Sequence, residues 1–113
     1  MDNYVSETIS TFIEFIKDSV DVYQEAITYL SDSDRETQDL LHFIELENVD
    51  APTRMRIYKK LKSVRQKRRC AKNTIELLHP IVDWYHKQGN ALNPLEKKIL
   101  PAIQATEVSL LAW

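Results

Sequence analysis

Apolar side chains recur along two stretches of this chain at alternating steps of three and four residues, and no other feature constrains its fold as strongly. In the first stretch Ile9, Ile13, Ile16, Val20, Tyr23, Ile27 and Leu30 step by 4, 3, 4, 3, 4, 3, which is the seam of an amphipathic helix. Glu7, Glu14, Asp18, Asp21 and Glu25 fall opposite that seam, because successive helical residues are rotated by about 100°. Phe12, Phe15 and Val22 widen the apolar side, so this helix packs on more than one neighbour. In the second stretch Ile57, Leu61, Val64, Arg68, Ala71, Ile75, Leu78, Val82 and Tyr85 repeat the spacing, and Arg68 is its one charged member. A guanidinium in a seam needs a carboxylate, since a buried unpaired charge costs several kcal/mol. Glu14, Asp18, Asp21 and Asp39 are the candidate partners.

Punctuation residues divide the rest. The run SDSDRE interrupts the first seam, and Ser33 with Glu36 has the spacing of a capping box for a second helix, DRETQDLLHFIELEN, with Leu40, Leu41 and Ile44, joined by Phe43 and Val49, as its core candidates. Asp50 and Pro52 read as the N-cap and first turn of a third helix over residues 51 to 88, with Pro80 kinking it by removing the bond to the Glu76 carbonyl. Gly89 and Asn90 stop that helix. Asn93, Pro94 and Glu96 read as N-cap, N1 and N3 of a last helix that Pro101 interrupts, leaving LLAW as an apolar tail.

One glycine and four prolines in 113 residues exclude a turn-rich β protein. The expected organisation is a single helical domain over residues 1–113, with acidic helices in 1–50 and the basic long helix and a C-terminal helix in 51–113. Residues 51 to 88 as one helix would span about 57 Å, whereas a compact domain of this size has a radius of gyration near ~13 Å. The expected fold is therefore all-α, a helical bundle built on long antiparallel helices that assembles as a homo-oligomer, a dimer or larger.

Charge is distributed as unevenly as hydropathy. The net charge is only -2. Residues 1–50 nevertheless carry thirteen acids against Lys17 and Arg35, while residues 51–113 carry thirteen bases against Glu76, Asp83, Glu96 and Glu107. Between Arg54 and Lys72 stand ten bases and no acid, and their mutual repulsion must be relieved by water and salt, by the acidic helix, or by a phosphate-bearing partner. Lys62, Arg65, Arg69 and Lys72 are the candidate phosphate or nucleotide ligands, because arginine forks match phosphate oxygens. Glu7, Glu14, Asp18, Asp21 and Glu25 form the opposite candidate, an acidic protein-binding face that imitates a phosphate backbone.

Two aspartate–histidine pairs, Asp39 with His42 and Asp83 with His86, have the i, i+3 spacing that metal-binding bundles use. They are the third candidate site, without the Glu-x-x-His that such bundles carry. No nucleophile–base pair, glycine loop or paired catalytic carboxylates stand out, so no enzyme activity and no cofactor are expected. The single cysteine, Cys70, gives no disulfide framework, no apolar run approaches the roughly 18 residues of a membrane span, and no leader pattern opens the chain. The expectation is a cytoplasmic protein that does not bind membranes.

The segments QDLLHFIEL, KLKSVRQKRR and KNTIELLHPI, within roughly residues 36 to 81, resemble small helical accessory proteins encoded by phages and prophages of Gram-positive bacteria. The resemblance implies a non-enzymatic protein made in the cytoplasm of an infected cell. Such proteins block a host defence or nucleic-acid-handling protein, here through the acidic face, or sequester a nucleotide or nucleic acid as counter-defence sponges, here through the basic helix. A metal-binding bundle is the remaining alternative.

Overall fold

A computed structural model describes residues 3–111; Ala112 and Trp113, the end of the expected apolar tail, lie outside the described residues. Helix α1 runs Tyr4–Leu46 and α2 runs Ala51–Gln88. A 3-10 turn at Gly89–Ala91, the short α3 (Leu92–Pro94), a π-helical turn at Leu95–Ile99 and α4 (Leu100–Leu111) follow. The described residues hold no strand, and the two long helices pack against each other, which is the all-α bundle the seams require. By their contacts the residues fall into two compact units: those up to Asp21 with those from Leu78 onward, and Val22–Leu77.

The first unit is built around Ile13, Ile16, Val82 and Leu92, all buried, with Ser6 and Ser19 buried among its polar residues. Both serine hydroxyls are satisfied by their own helix: Ser6 Oγ donates to the Asn3 carbonyl at 3.1 Å and Ser19 Oγ to the Phe15 carbonyl at 2.7 Å. Two contacts tie α1 to the C-terminal segments. The Ser6 backbone N–H donates to Glu107 Oε2 at 3.3 Å, and Lys17 Nζ reaches both oxygens of Glu96 at 2.9 Å. Glu96 therefore serves an ion pair and not the helix cap its spacing suggests. The helical path begins at Leu92, before Asn93, and the residue that precedes it, Ala91, offers no side-chain cap.

Two further punctuation marks act differently from their sequence reading. Pro101 does not end the last helix; the turn before it widens to π geometry, which accommodates a ring that would otherwise clash with the Lys97 carbonyl and donates no bond to it. Gly89 has no positive φ. Its role is a close approach, since a Cβ there would lie 3.1 Å from Tyr85 Cδ2. Helix α2 continues through Pro80, as a kinked continuation requires.

The second unit is a hairpin whose arms meet in opposite senses, Glu36 facing Lys60 at 3.5 Å and Asp34 facing Arg68. Its core is Ala26, Ile57, Leu61, Val64 and Ala71, with Ser33 also buried. Ser33 and Glu36 do not open a new helix, because α1 passes through them without a break. The reason is phase. Tyr23, Leu30, Thr37 and Ile44 continue the seven-residue spacing of Ile9 and Ile16, and all four are half-buried, so leaving the helix at SDSDRE would forfeit the packing of everything beyond it. Along α1 the second line of the seam drifts, from Ser6 and Ile13 to Ser19, Ala26 and Ser33. That shift of one residue turns Ile27 outward to 40% exposure and brings Ala26 in. All nine expected seam positions of α2 are buried or half-buried.

Asp50 caps α2 as its position implies. Its Oδ1 accepts the Thr53 backbone N–H at 3.2 Å and its carbonyl accepts that of Arg54 at 3.0 Å. The Thr53 hydroxyl and backbone N–H together hold the Asp50 carboxyl below its ordinary value of 3.8.

Two predictions test this packing. A Ser33→Ala variant should unfold in urea within about 0.5 kcal/mol of the parent or later, since alanine is the better interior helix former, whereas loss of a true N-cap would cost about 1 kcal/mol. Ser33→Leu should cost about 1–3 kcal/mol by overfilling the seam. For Asp50 the folded value lies below the unfolded one, so its stabilisation is fully present above pH 3.8 and lost as pH falls through the lowered value. Asp50→Asn keeps a capping oxygen and should flatten that part of the acid-unfolding curve.

Candidate functional site

On α2, Arg65 with Arg69 and Arg68 with Lys72 are i, i+4 pairs, which stack neighbouring cations on one side of the helix. Because α1 is unbroken at Ser33, its Asp34 and Thr37 lie opposite them in the second unit. Together Asp34, Thr37, Arg65, Arg68, Arg69 and Lys72, with Asn73 and Glu76 at the rim, line a cleft of about 530 Å³. That volume is within the ordinary range of small-molecule sites. Four cations face two carboxylates.

The ion pairs assign the cleft its free charge. Arg68 Nε donates to Asp34 Oδ1 at 2.5 Å, so the partner of the seam arginine is none of Glu14, Asp18, Asp21 or Asp39. Asp34 was hidden by the expected helix break; with the helix continuous it sits one residue past the buried Ser33 and borders the groove that Arg68 occupies. Both side chains retain solvent contact, 38% and 54% exposed, so the pair contributes at most about 1 kcal/mol. Among the described residues Arg65, Arg69 and Lys72 make no ion pair or side-chain hydrogen bond. Thr37 Oγ1 is buried in the wall without a hydrogen-bond partner, a state that costs about 1–3 kcal/mol.

Lys62 stands apart from these. It lines a second depression of about 420 Å³ with Leu41, Tyr58 and Leu61, and the two hollows share Arg65 and Arg69 as a common wall. Tyr58 is half exposed, so an aromatic face adjoins the cationic one.

The acidic candidates take the opposite form. Glu7, Glu14, Asp18, Asp21 and Glu25 are all exposed, and none makes an ion pair among the described residues. Glu7 accepts the Asn3 side-chain amide at 3.0 Å. The four salt bridges of the described residues use Glu96, Glu36, Asp34 and Asp83. These five acids thus neutralise none of the basic run, whereas Asp34 and Glu36 further along the same helix pair with Arg68 and Lys60.

The aspartate–histidine pairs do not form one cluster. Asp39 and His42 belong to the second unit, Asp83 and His86 to the first. Asp83 Oδ2 instead accepts Lys87 Nζ at 3.1 Å, and the His86 ring lies tilted against Tyr85 with centroids 6.2 Å apart. Among the described residues no group of three or more His, Cys, Asp or Glu side chains is placed to hold a metal ion, and no helix is long and apolar enough to cross a membrane.

Sequence reasoning singled out Arg65, Arg69 and Lys72 but treated Arg68 as a packing problem. Its i, i+4 relation to Lys72 was the signal that could have placed it in the same site. Asp34 and Thr37 carried no such signal, because their position depends on the continuity of α1. No known protein family, curated protein or solved structure matches the chain.

Proposed function

We propose that this protein is a non-enzymatic binding module for a phosphate-bearing ligand, a nucleotide or a short single strand, held in the cleft of the Val22–Leu77 unit. The observation that carries the reading is the convergence of Arg65, Arg69 and Lys72 on one concave site beside Arg68, with none of the three paired to a carboxylate. Exposed like charges on adjacent turns repel, and a polyanion relieves that repulsion while releasing counterions. Arg68 is pinned by Asp34 and so is preorganised, whereas Arg65 and Arg69 have their forks free for bidentate contact. A base attached to the phosphate meets the Tyr58 ring and the apolar floor of Leu41 and Leu61 across the shared wall. Stacking of this kind is tolerant of sequence and contributes about 1–3 kcal/mol per base.

A second reading has its own observation, the exposed carboxylates Glu14, Asp18 and Asp21 on α1, which make no ion pair among the described residues. A carboxylate row at helical spacing offers a basic groove on a host protein the charge pattern of a phosphate backbone, and complementarity of this type speeds association. It accords with the phage-type accessory proteins that residues 36–81 resemble. The two readings place the damaging substitutions on different helices.

Fluorescence anisotropy with a labelled single-stranded oligonucleotide, competed by a nucleoside triphosphate, tests the first reading. Binding through Arg65, Arg69 and Lys72 should give a log–log salt slope of about -2, three phosphates each contributing about -0.7 on a single strand. Charge reversal of all three should weaken affinity at least about tenfold with an unchanged far-UV spectrum. Reversal of Glu14, Asp18 and Asp21 should leave binding intact or tighten it. No binding at low salt, or equal loss from both sets, contradicts the assignment.

A further inference from the structure

Ten bases lie between Arg54 and Lys72, and the structure sorts them into two sets. Successive residues of a helix advance by about 100°, so Arg54, Tyr58, Lys62, Arg65, Arg69 and Lys72, which step by 4, 4, 3, 4, 3, fall within an arc of about 80° on α2. All six are exposed. Among the described residues the five cations of this stripe make no ion pair, and Arg54 alone has a side-chain hydrogen bond, a 3.5 Å contact with the Val49 carbonyl. Off the stripe, Lys60 pairs with Glu36, Arg68 with Asp34, and Arg56 donates to the Thr53 hydroxyl at 3.4 Å. Thr37 and Leu41 of α1 border the stripe, in the two hollows that meet at Arg65 and Arg69.

We infer that the stripe is a track for single-stranded nucleic acid, resting on the phosphate-binding reading of the cleft and extending that site through Lys62 to Arg54. Two observations select this ligand. The stripe has ends. Asp50 precedes Arg54 by one turn and Glu76 follows Lys72 by one turn, so carboxylates bound a row of cations about 27 Å long at about 1.5 Å per residue. A single nucleotide extends no further than the two hollows and leaves Arg54 without a counter-charge, whereas a strand of about eight nucleotides at a stacked rise of about 3.4 Å, or fewer when extended, meets every cation. The second observation is Tyr58. It interrupts the cations with a ring that is 50% exposed beside Leu41 and Leu61, a face that takes an unpaired base and that a duplex, with its bases stacked inside, cannot use.

Fluorescence anisotropy with oligothymidylates of two, four, eight and twelve nucleotides, with far-UV circular dichroism as the folding control, tests the track. Affinity per binding register should climb at least about tenfold up to about eight nucleotides and stay flat beyond, while the log–log salt slope steepens from about -2 at four nucleotides to about -3.5, five phosphates at about -0.7 each. Arg54→Glu with Lys62→Glu should cancel that gain and return the slope to about -2. Arg56→Glu with Lys67→Glu, the same change of charge off the stripe, should cost less than about threefold at physiological ionic strength, where charges more than about 8 Å apart are screened. Tyr58→Ala should weaken binding of the eight-nucleotide strand at least about fivefold, and Tyr58→Phe should not. Affinity that is independent of length with a slope near about -2 overturns the track and leaves the cleft reading standing; no binding of any strand or of a nucleoside triphosphate removes both. Equal loss from the two double reversals, or a duplex bound as tightly as the strand, also overturns the inference.

Discussion

The structure depends on an uninterrupted α1 whose seam toward its neighbours is made partly of small side chains. Ser6, Ser19, Ala26 and Ser33 are all buried, and Ser6 and Ser19 return their hydroxyls to their own backbone. Small seam residues bring helices close at little entropic cost, and hydrophobic burial is carried by Ile13 and Ile16 of α1 and by the opposing Ile57, Leu61, Val64 and Val82. Continuity through Ser33 also sets what lies beyond it. Asp34, Thr37 and Leu41 reach the level of Arg68, Arg65 and Leu61 only because no turn intervenes, and the cleft exists as a consequence.

The same geometry keeps the charges apart. A seam with one charged member admits one ion pair, Arg68 with Asp34, while Glu7, Glu14, Asp18, Asp21 and Glu25 and the cleft's Arg65, Arg69 and Lys72 are exposed. A chain whose net charge is -2 therefore presents two strongly charged surfaces. Such surfaces contribute little to stability when solvated, and in the unit that holds the basic cleft they raise the local field at a concave site, where field is most effective. Among the described residues acid–base complementarity, the plainest account of the composition, is limited to four surface pairs.

Much of the fold was legible from periodicity. Every seam position of α2 could be read, since branched residues at a steady spacing leave one solution, and Asp50 could be read as a cap because Pro52 follows it. What could not be read has physical causes. A Ser-x-x-Glu spacing is a cap only if the chain is leaving a helix, and packing of Leu40, Leu41 and Ile44 beyond it outweighs that local preference. The strict heptad placed Ile27 inside, whereas the buried line runs one residue earlier, through Ser19, Ala26 and Ser33. Asn93 and Glu96 look like a helix start, yet Lys17 claims Glu96. The basic half of the site was visible as sequence; its α1 wall was not, because no local signal in SDSDRETQD reports that the helix continues.

Amide hydrogen exchange across residues 24 to 41 tests the central claim most directly. An unbroken α1 predicts protection at Ser31 through Glu36 of the same order as at the residues on either side, with the lowest rates at Ser33 and its seam neighbours. A window of fast exchange at Ser31–Glu36, flanked by protected segments, would mean two helices separated by a turn. The wall of the cleft formed by Asp34 and Thr37 would then not exist as described.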